Sequence, residues 1–216
     1  MKLVSVNVGL PREITWHGRR VTTGIFKAPR AGRTMLRTLN LDGDGQADLS
    51  VHGGTHKAAY AYPMEHYAYW RRELPNTPLP WGAFGENFTT EGLTEDTVHI
   101  GDRFRLGAAE VIVTQPRMPC YKLAIKFARA EFVKAFLASE RTGFYFAVLR
   151  EGEVEAEDSI ERIAEDERRL SVRDIVRLYT SDAPDPQLLQ RAVQLDALPD
   201  GWREHFVDQL AKAQVS

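Results

Sequence analysis

The one cysteine of the chain, Cys120, closes the stretch Gln115-Pro116-Arg117-Met118-Pro119-Cys120, which follows the apolar run Val111-Ile112-Val113. Each proline fixes its own φ and biases the preceding residue towards extended backbone. Gln115 and Met118 are therefore expected to be extended, and the thiol to leave a stiff corner in a set direction. Arg117 stands three residues before it. A guanidinium facing the sulfur favours the thiolate, the form that attacks carbon and binds metals. Two readings stand here: a reactive or metal-binding thiol, and a small buried hydrophobe without chemistry, the commoner fate of a lone cysteine.

A second stretch is Val51-His52-Gly53-Gly54-Thr55-His56-Lys57. Paired glycines let consecutive amides point at an anion, with Lys57 as a charge beside them, although a simple turn into the strand Ala58 to Tyr62 explains them equally. His52 and His56 lie four apart, but no helix crosses Gly53-Gly54, which argues against zinc ligation from one helix face. A hydrolase with Cys120 as nucleophile and His52 or His56 as base is another arrangement these residues allow. In the third stretch, Gly85-Glu86-Asn87-Phe88, Asn87 offers both donor and acceptor, while a β-bulge or corner accounts for the glycine. Arg30 and Arg33 offer charge to an anion. Asp42-Gly43-Asp44 starts like a calcium loop and then fails, because Ala47 and Gly53 occupy the places that need glycine and glutamate.

The bulk composition narrows the classes. A chain of 216 residues suits one large domain, or one with a small appendage, and 43% hydrophobic with 27% charged residues is ordinary for a globular protein. A net charge of -2 gives no basic field, so nucleic acid is not an expected partner. A single cysteine excludes an intrachain disulfide and cysteine-ligated iron–sulfur clusters, and fits a reducing compartment. The N-terminus alternates instead of forming an apolar block, and no apolar run approaches the ~20 residues of a membrane helix, so a cytoplasmic protein without a membrane partner is expected.

These stretches need elements to hold them. Leu3 to Val8 and Val21 to Phe26 read as strands, with Glu13 to Arg20 as a solvated hairpin between them. Pro63 to Leu74 reads as a helix whose apolar face is Tyr67, Trp70 and Leu74. Val98 to Gly107 reads as two short strands about a turn, and Ala109 to Thr114 as a strand running into the Cys120 loop. From Leu123 to Leu137 the spacing predicts one amphipathic helix of about 16 residues. Phe144 to Leu149 is a strand, and the acidic run Glu153 to Glu167 a solvated surface. After Ser171 the period becomes helical: a capping-box start with Val172, Ile175, Val176 and Tyr179 as the apolar face, then Gln187 to Leu195 and Trp202 to Lys212. So small a tail is marginal alone and is expected to pack on its neighbour or on a second chain.

In order, Asp44-Gly45-Gln46-Ala47-Asp48 with Val51-His52-Gly53-Gly54 and Lys57-Ala58, then Gly85-Glu86-Asn87-Phe88, Ile100-Gly101-Asp102, and Gln115-Pro116-Arg117 with Pro119-Cys120 resemble the MOSC domain, named for the C-terminus of molybdenum-cofactor sulfurase. The trailing helices resemble its YiiM type. This resemblance implies a mainly β fold, with a MOSC β-barrel and a few peripheral helices over residues 1–168 and a three-helix domain over 169–216. It implies a molybdenum cofactor (molybdopterin) whose metal is bound by Cys120, with Gly53, Gly54, Lys57, Asn87 and Arg117 around its pterin and phosphate. The implied reaction is a detoxifying reduction of N-hydroxylated compounds such as 6-hydroxylaminopurine, with loss of water. Cys120 and His52 are then expected to be catalytic; His52, Asp48 and Tyr121, by their closeness to the motifs in sequence, are alternative candidates for the proton donor. Without a dinucleotide fingerprint, electrons are expected from a separate donor protein, and a homodimer through the tail is an accompanying expectation. A carrier of cofactor or sulfur without turnover is the alternative. The chain departs from the family pattern at His56, where an acidic residue is common, and at Glu157-Asp158, where Gly-Asp is common.

Overall fold

The computed structural model describes residues 1–47 and 53–213. An eight-stranded sheet runs in the order β12-β8-β9-β10-β6-β7-β1-β4. Its strands are β1 (Lys2–Val8), β4 (Ala28–Pro29), β6 (Ala59–Pro63), β7 (Phe88–Glu91), β8 (Arg103–Leu106), β9 (Ala109–Pro116), β10 (Phe144–Arg150) and β12 (Ile160–Ala164). Pairing is antiparallel except between β6 and β7. Two small sheets flank it, the hairpin β2 (Arg12–Trp16) with β3 (Arg19–Thr23), and β5 (Thr34–Leu36) with β11 (Gly152–Val154). The helices are α1 (Glu65–Glu73), α2 (Tyr121–Phe127), α3 (Phe132–Ala138), α4 (Val172–Thr180), α5 (Pro186–Ala192) and α6 (Asp200–Ala213).

Two expectations about class are corrected. The architecture is mixed, because helices cover both the aromatic and the aliphatic core. No closed barrel is seen among the described residues: the β12 end and β1 meet through an isolated Lys2–Ser159 bridge with flanking backbone bonds from Ile160 N to Met1 O (3.0 Å), Leu3 N to Asp158 O (2.9 Å) and Glu157 N to Leu3 O (2.7 Å), not through a continuous ladder. Glu157, in the turn beside this bridge, adopts φ 77° in the left-handed region, at the place where the family pattern has glycine.

Local departures have local causes. The second strand is Arg19–Thr23, not Val21 to Phe26, because it pairs with Arg12–Trp16 around a turn at His17 (φ 47°) and Gly18 (φ 75°). Only one strand forms between Val98 and Gly107. The fully buried Asp102 accepts from the His99 and Asp166 amides, both at 3.0 Å, and holds the preceding segment as a capped turn. The single helix after Cys120 is two, broken where Ala128 turns left-handed (φ 51°). That break lets Phe127 and Phe132 pack with ring centroids 4.3 Å apart. The acidic run contains β12, with Ile160 buried.

Two cores result. An aromatic cluster of Tyr62, Tyr67, Trp70, Phe84 and Phe136 covers α1 and α3, so the Tyr67/Trp70/Leu74 stripe is core. The other core joins Val111 and Val113 of β9 to Val172, Ile175, Leu189, Leu195 and Phe206 of the tail. Each such fully buried side chain contributes about 1.5–3 kcal/mol, which fixes the tail to the sheet. Its first helix starts with the expected capping box, Ser171 with Asp174. Tyr179, expected on the apolar face, is 42% exposed, and Leu178 is buried in its stead. Among the described residues no helix is long and apolar enough to cross a membrane.

Candidate functional site

Strand β9 delivers the thiol. Its end is fixed by pairing of Pro116 with Phe144 and by the Arg117 amide donating to Gly143 O at 3.1 Å, and the Gly143 amide itself donates to buried Glu95 at 2.7 Å. Met118 and Pro119 then cross to Cys120, which precedes α2 in extended backbone (φ −123°, ψ 172°) and is partly exposed. Arg117 turns inward. It is 5% exposed, with the rings of Tyr60 and Phe136 each 5.4 Å from the guanidinium. Burial opposes its charge, and the surrounding Tyr60, Tyr145 and Cys120 outweigh that and raise its pKa. One terminal nitrogen, Nη1, is buried without a hydrogen-bond partner. A buried guanidinium hydrogen left over in this way is a standing demand for an acceptor.

Arg117 looks into a narrow cavity of about 100 Å³ whose charged lining, among the described residues, is Lys27, Lys57, Arg117 and Lys122 against the carboxylate of Asp44. Asp44 is spent on its neighbours: Lys27 Nζ donates to both its oxygens at 2.5 and 2.6 Å, Asn87 Nδ2 donates at 2.8 Å, and the Gly9 amide at 2.9 Å. Asn87 also accepts from the Tyr60 amide at 3.1 Å, so it braces the wall with its own polar atoms. Three loops approach closely here, and a Cβ on Gly24 would meet Gly45 O at 2.4 Å. Burial lowers the pKa of Lys27 despite Asp44, and lowers that of Lys57. Burial also raises the Tyr145 phenol, keeping it protonated.

Beside the cavity lies an open cleft of about 660 Å³. The two share Lys57, Met118, Cys120 and Tyr145. One wall of the cleft is Gly53 to Lys57, where a 3-10 turn (Thr55–Lys57) is tied to β9 by Thr114 Oγ1 donating to His56 O at 2.7 Å. Gly54 has φ 92° and open space where a Cβ would be, so glycine both permits the turn and leaves the cleft clear. Tyr179 and Trp202 of the tail also line this cleft.

The residues singled out from sequence therefore fall as follows. Cys120 and Lys57 stand at the junction, Arg117 and Asn87 line the narrow cavity alone, and Gly53 and Gly54 line the cleft alone. His52 and Asp48 lie outside the described residues. Tyr121 is 55% exposed and lines neither hollow. Arg33 pairs with Glu155 at 2.8 Å and Arg30 is exposed near Asp42 O, so neither serves this site. Sequence reasoning missed Lys27, Lys122, Tyr145 and the tail aromatics. Lys122, two residues past Cys120, carried a usable signal, because a cation there lies beside the thiol on any path the chain takes.

What the arrangement can do follows from its donor set. Among the described residues no group of three or more His, Cys, Asp or Glu could hold a metal ion. Cys120 offers a thiolate ligand, and Arg117, Lys57 and Lys122 offer cationic partners to an anionic group. The narrow cavity is too small for most organic ligands, which occupy about 300–1,000 Å³, and suits an anionic end group; the cleft is large enough for the rest.

A model of the MOSC domain matches residues 48–161, and a model of the YiiM-like, 3-alpha helix domain matches residues 170–213. The chain is 43% identical over 205 residues to YflK of Bacillus subtilis (strain 168), covering 95% of this chain and 92% of that protein. It is 32% identical over 181 residues to a protein named Reductase from Gibberella moniliformis (strain M3125 / FGSC 7600), covering 82% of this chain but 32% of that longer protein. The crystal structure of YiiM from Geobacillus stearothermophilus superposes with a TM-score of 0.81 at 35% identity, covering 97% of this chain and 98% of that one. With both of its parts matched and a full-length structural relative in hand, the chain belongs to the MOSC-domain family, in the YiiM type that carries a three-helix domain behind the MOSC domain.

Proposed function

We propose that this protein is a molybdenum-cofactor-dependent reductase of N-hydroxylated compounds, with Cys120 as the protein ligand of the metal. The observation that carries it is the buried Arg117 guanidinium, with an unmatched Nη1, in the same cavity lining as Lys57, Lys122 and Cys120. These residues fit the cofactor: a thiolate for the metal, and a desolvated cationic pocket for a phosphate. The relative named Reductase supports turnover over simple carriage.

When bound, the cofactor supplies two-electron transfer; binding and orientation are the protein's share. Arg117, Lys122 and Lys57 would hold the anionic end, and Cys120, where the cavity and the cleft meet, would bind the metal. Gly53 and Gly54 let the ligand lie close to backbone. Asn87 acts through Asp44 and Tyr60, keeping the cavity wall in place. The reaction balances as R–NHOH + 2 e⁻ + 2 H⁺ → R–NH2 + H2O: the N–O bond breaks, nitrogen is reduced, and oxygen leaves as water. A separate donor protein supplies the electrons. His52, adjoining Gly53 in the chain, is the proposed proton donor, and the Tyr145 hydroxyl, held protonated by burial, orients the leaving oxygen.

The test uses protein expressed in a cofactor-competent host and a reduced viologen dye under anaerobic conditions, with 6-hydroxylaminopurine as substrate. Amine formation at one product per two electrons, lost at least about 100-fold in Cys120→Ser, is the expected result. Cofactor-loaded protein that consumes no N-hydroxylated substrate would leave a carrier, and turnover without metal would overturn both cofactor readings.

A further inference from the structure

The tail buries its apolar residues almost completely, with Leu189, Leu195 and Phe206 all at 0% exposure, yet leaves Tyr179 42% exposed on the cleft that holds Cys120. Its ring lies 5.0 Å from that of Trp202, at 51° to it, and 4.9 Å from that of His205, at 39°, so the cleft meets a cluster of tilted aromatic rings and not a lone side chain. Trp202 is held in register with the site: its indole Nε1 donates at 2.8 Å to Oε1 of Gln115, which is buried on β9 five residues before Cys120. A half-exposed Tyr179, backed by a tryptophan that is hydrogen-bonded to the strand leading to the thiol, offers its face to a flat ligand.

Resting on the reductase reading above, we infer that the three-helix domain supplies the substrate-selecting wall of the site, the half-exposed Tyr179 ring stacking on a planar aromatic or heteroaromatic N-hydroxylated substrate while the inclined Trp202 ring braces Tyr179. Small aliphatic hydroxylamines gain nothing from this wall. Gln115 is a positioning residue, acting through Trp202.

The experiment compares 6-hydroxylaminopurine with N-methylhydroxylamine on cofactor-loaded wild type, Tyr179→Ala and Tyr179→Phe. Tyr179→Ala is expected to raise KM for the purine about tenfold with kcat little changed, and to leave both constants for the aliphatic substrate within about twofold. Tyr179→Phe restores the purine KM. Equal losses on both substrates, or none on either, overturn the inference. Equilibrium dialysis of unreactive adenine against the same proteins decides the matter without turnover: about tenfold weaker binding to Tyr179→Ala supports the wall, and unchanged binding refutes it. If wild type reduces neither substrate, the reductase reading falls, while the dialysis still reports on the wall.

Discussion

The narrow cavity and the open cleft share Lys57, Met118, Cys120 and Tyr145, but they are made of different things. The cavity is walled by strand ends and loops locked through the buried Lys27–Asp44 pair, Asn87 and the stacked Arg117. The cleft is walled by a glycine turn and by two helix ends of another domain. A cationic pocket braced by buried hydrogen bonds suits a ligand that is always the same; a wall contributed by the ends of the tail helices suits one that varies. The cavity should accordingly tolerate little change, whereas the cleft can be altered with small cost to stability.

Asp44→Asn tests the rigid side most severely. It leaves Lys27 buried beside a neutral partner, and is expected to cost roughly 3 kcal/mol, read from the urea midpoint. Tyr179→Ala in the cleft should move that midpoint little. Equal costs would erase the distinction.

Lys126 gives a pH handle on the same wall. Its Nζ donates to Ile25 O at 3.0 Å and Gly82 O at 2.8 Å, tying α2 to the loop behind the cavity, and burial lowers its pKa from 10.5 to about 8. Between those values the unfolded chain binds the proton and the folded chain does not. Stability relative to Lys126→Met therefore rises by up to roughly 3 kcal/mol from pH 8 to 10.5, and is level below pH 8. Denaturation across that range checks it; a fall with rising pH would contradict the desolvated ammonium.

Arg117→Met separates binding from folding. Retained pterin should drop about tenfold or more, while the cofactor-free protein loses no more than about 1 kcal/mol, because the guanidinium lacks a full set of partners. A large loss of stability with pterin unchanged would make Arg117 structural. Outside both regions, Glu157→Gly relieves a left-handed backbone and is expected to raise the melting temperature by about 2–4 °C without touching pterin content, a baseline for the other variants.

Much of this layout is legible from residues. The alternation from Leu3 to Val8, the prolines around Arg117 and the capping box at Ser171 are local signals, and each states its element directly. The split of the helix at Ala128 was not legible, because the left-handed turn there is set by the packing of Phe127 on Phe132 and Phe84, not by a local breaker. Tyr179 fitted the helical period equally well as core, and only the position of Trp202 and the cleft placed it outside. Lys27 and Asp44 lie seventeen residues apart, and nothing local marks them as one buried pair. The order of glycine, asparagine, arginine and cysteine motifs announced a shared site, yet its division into two hollows depends on tertiary approach of the tail.

The most direct measurement is molybdenum and pterin content of wild type and Cys120→Ser purified from a cofactor-competent host. Molybdenum and pterin in equal amounts are expected in wild type, with molybdenum lost in Cys120→Ser. Wild type without molybdenum, or Cys120→Ser retaining it in full, would contradict the claim that this thiol is a metal ligand.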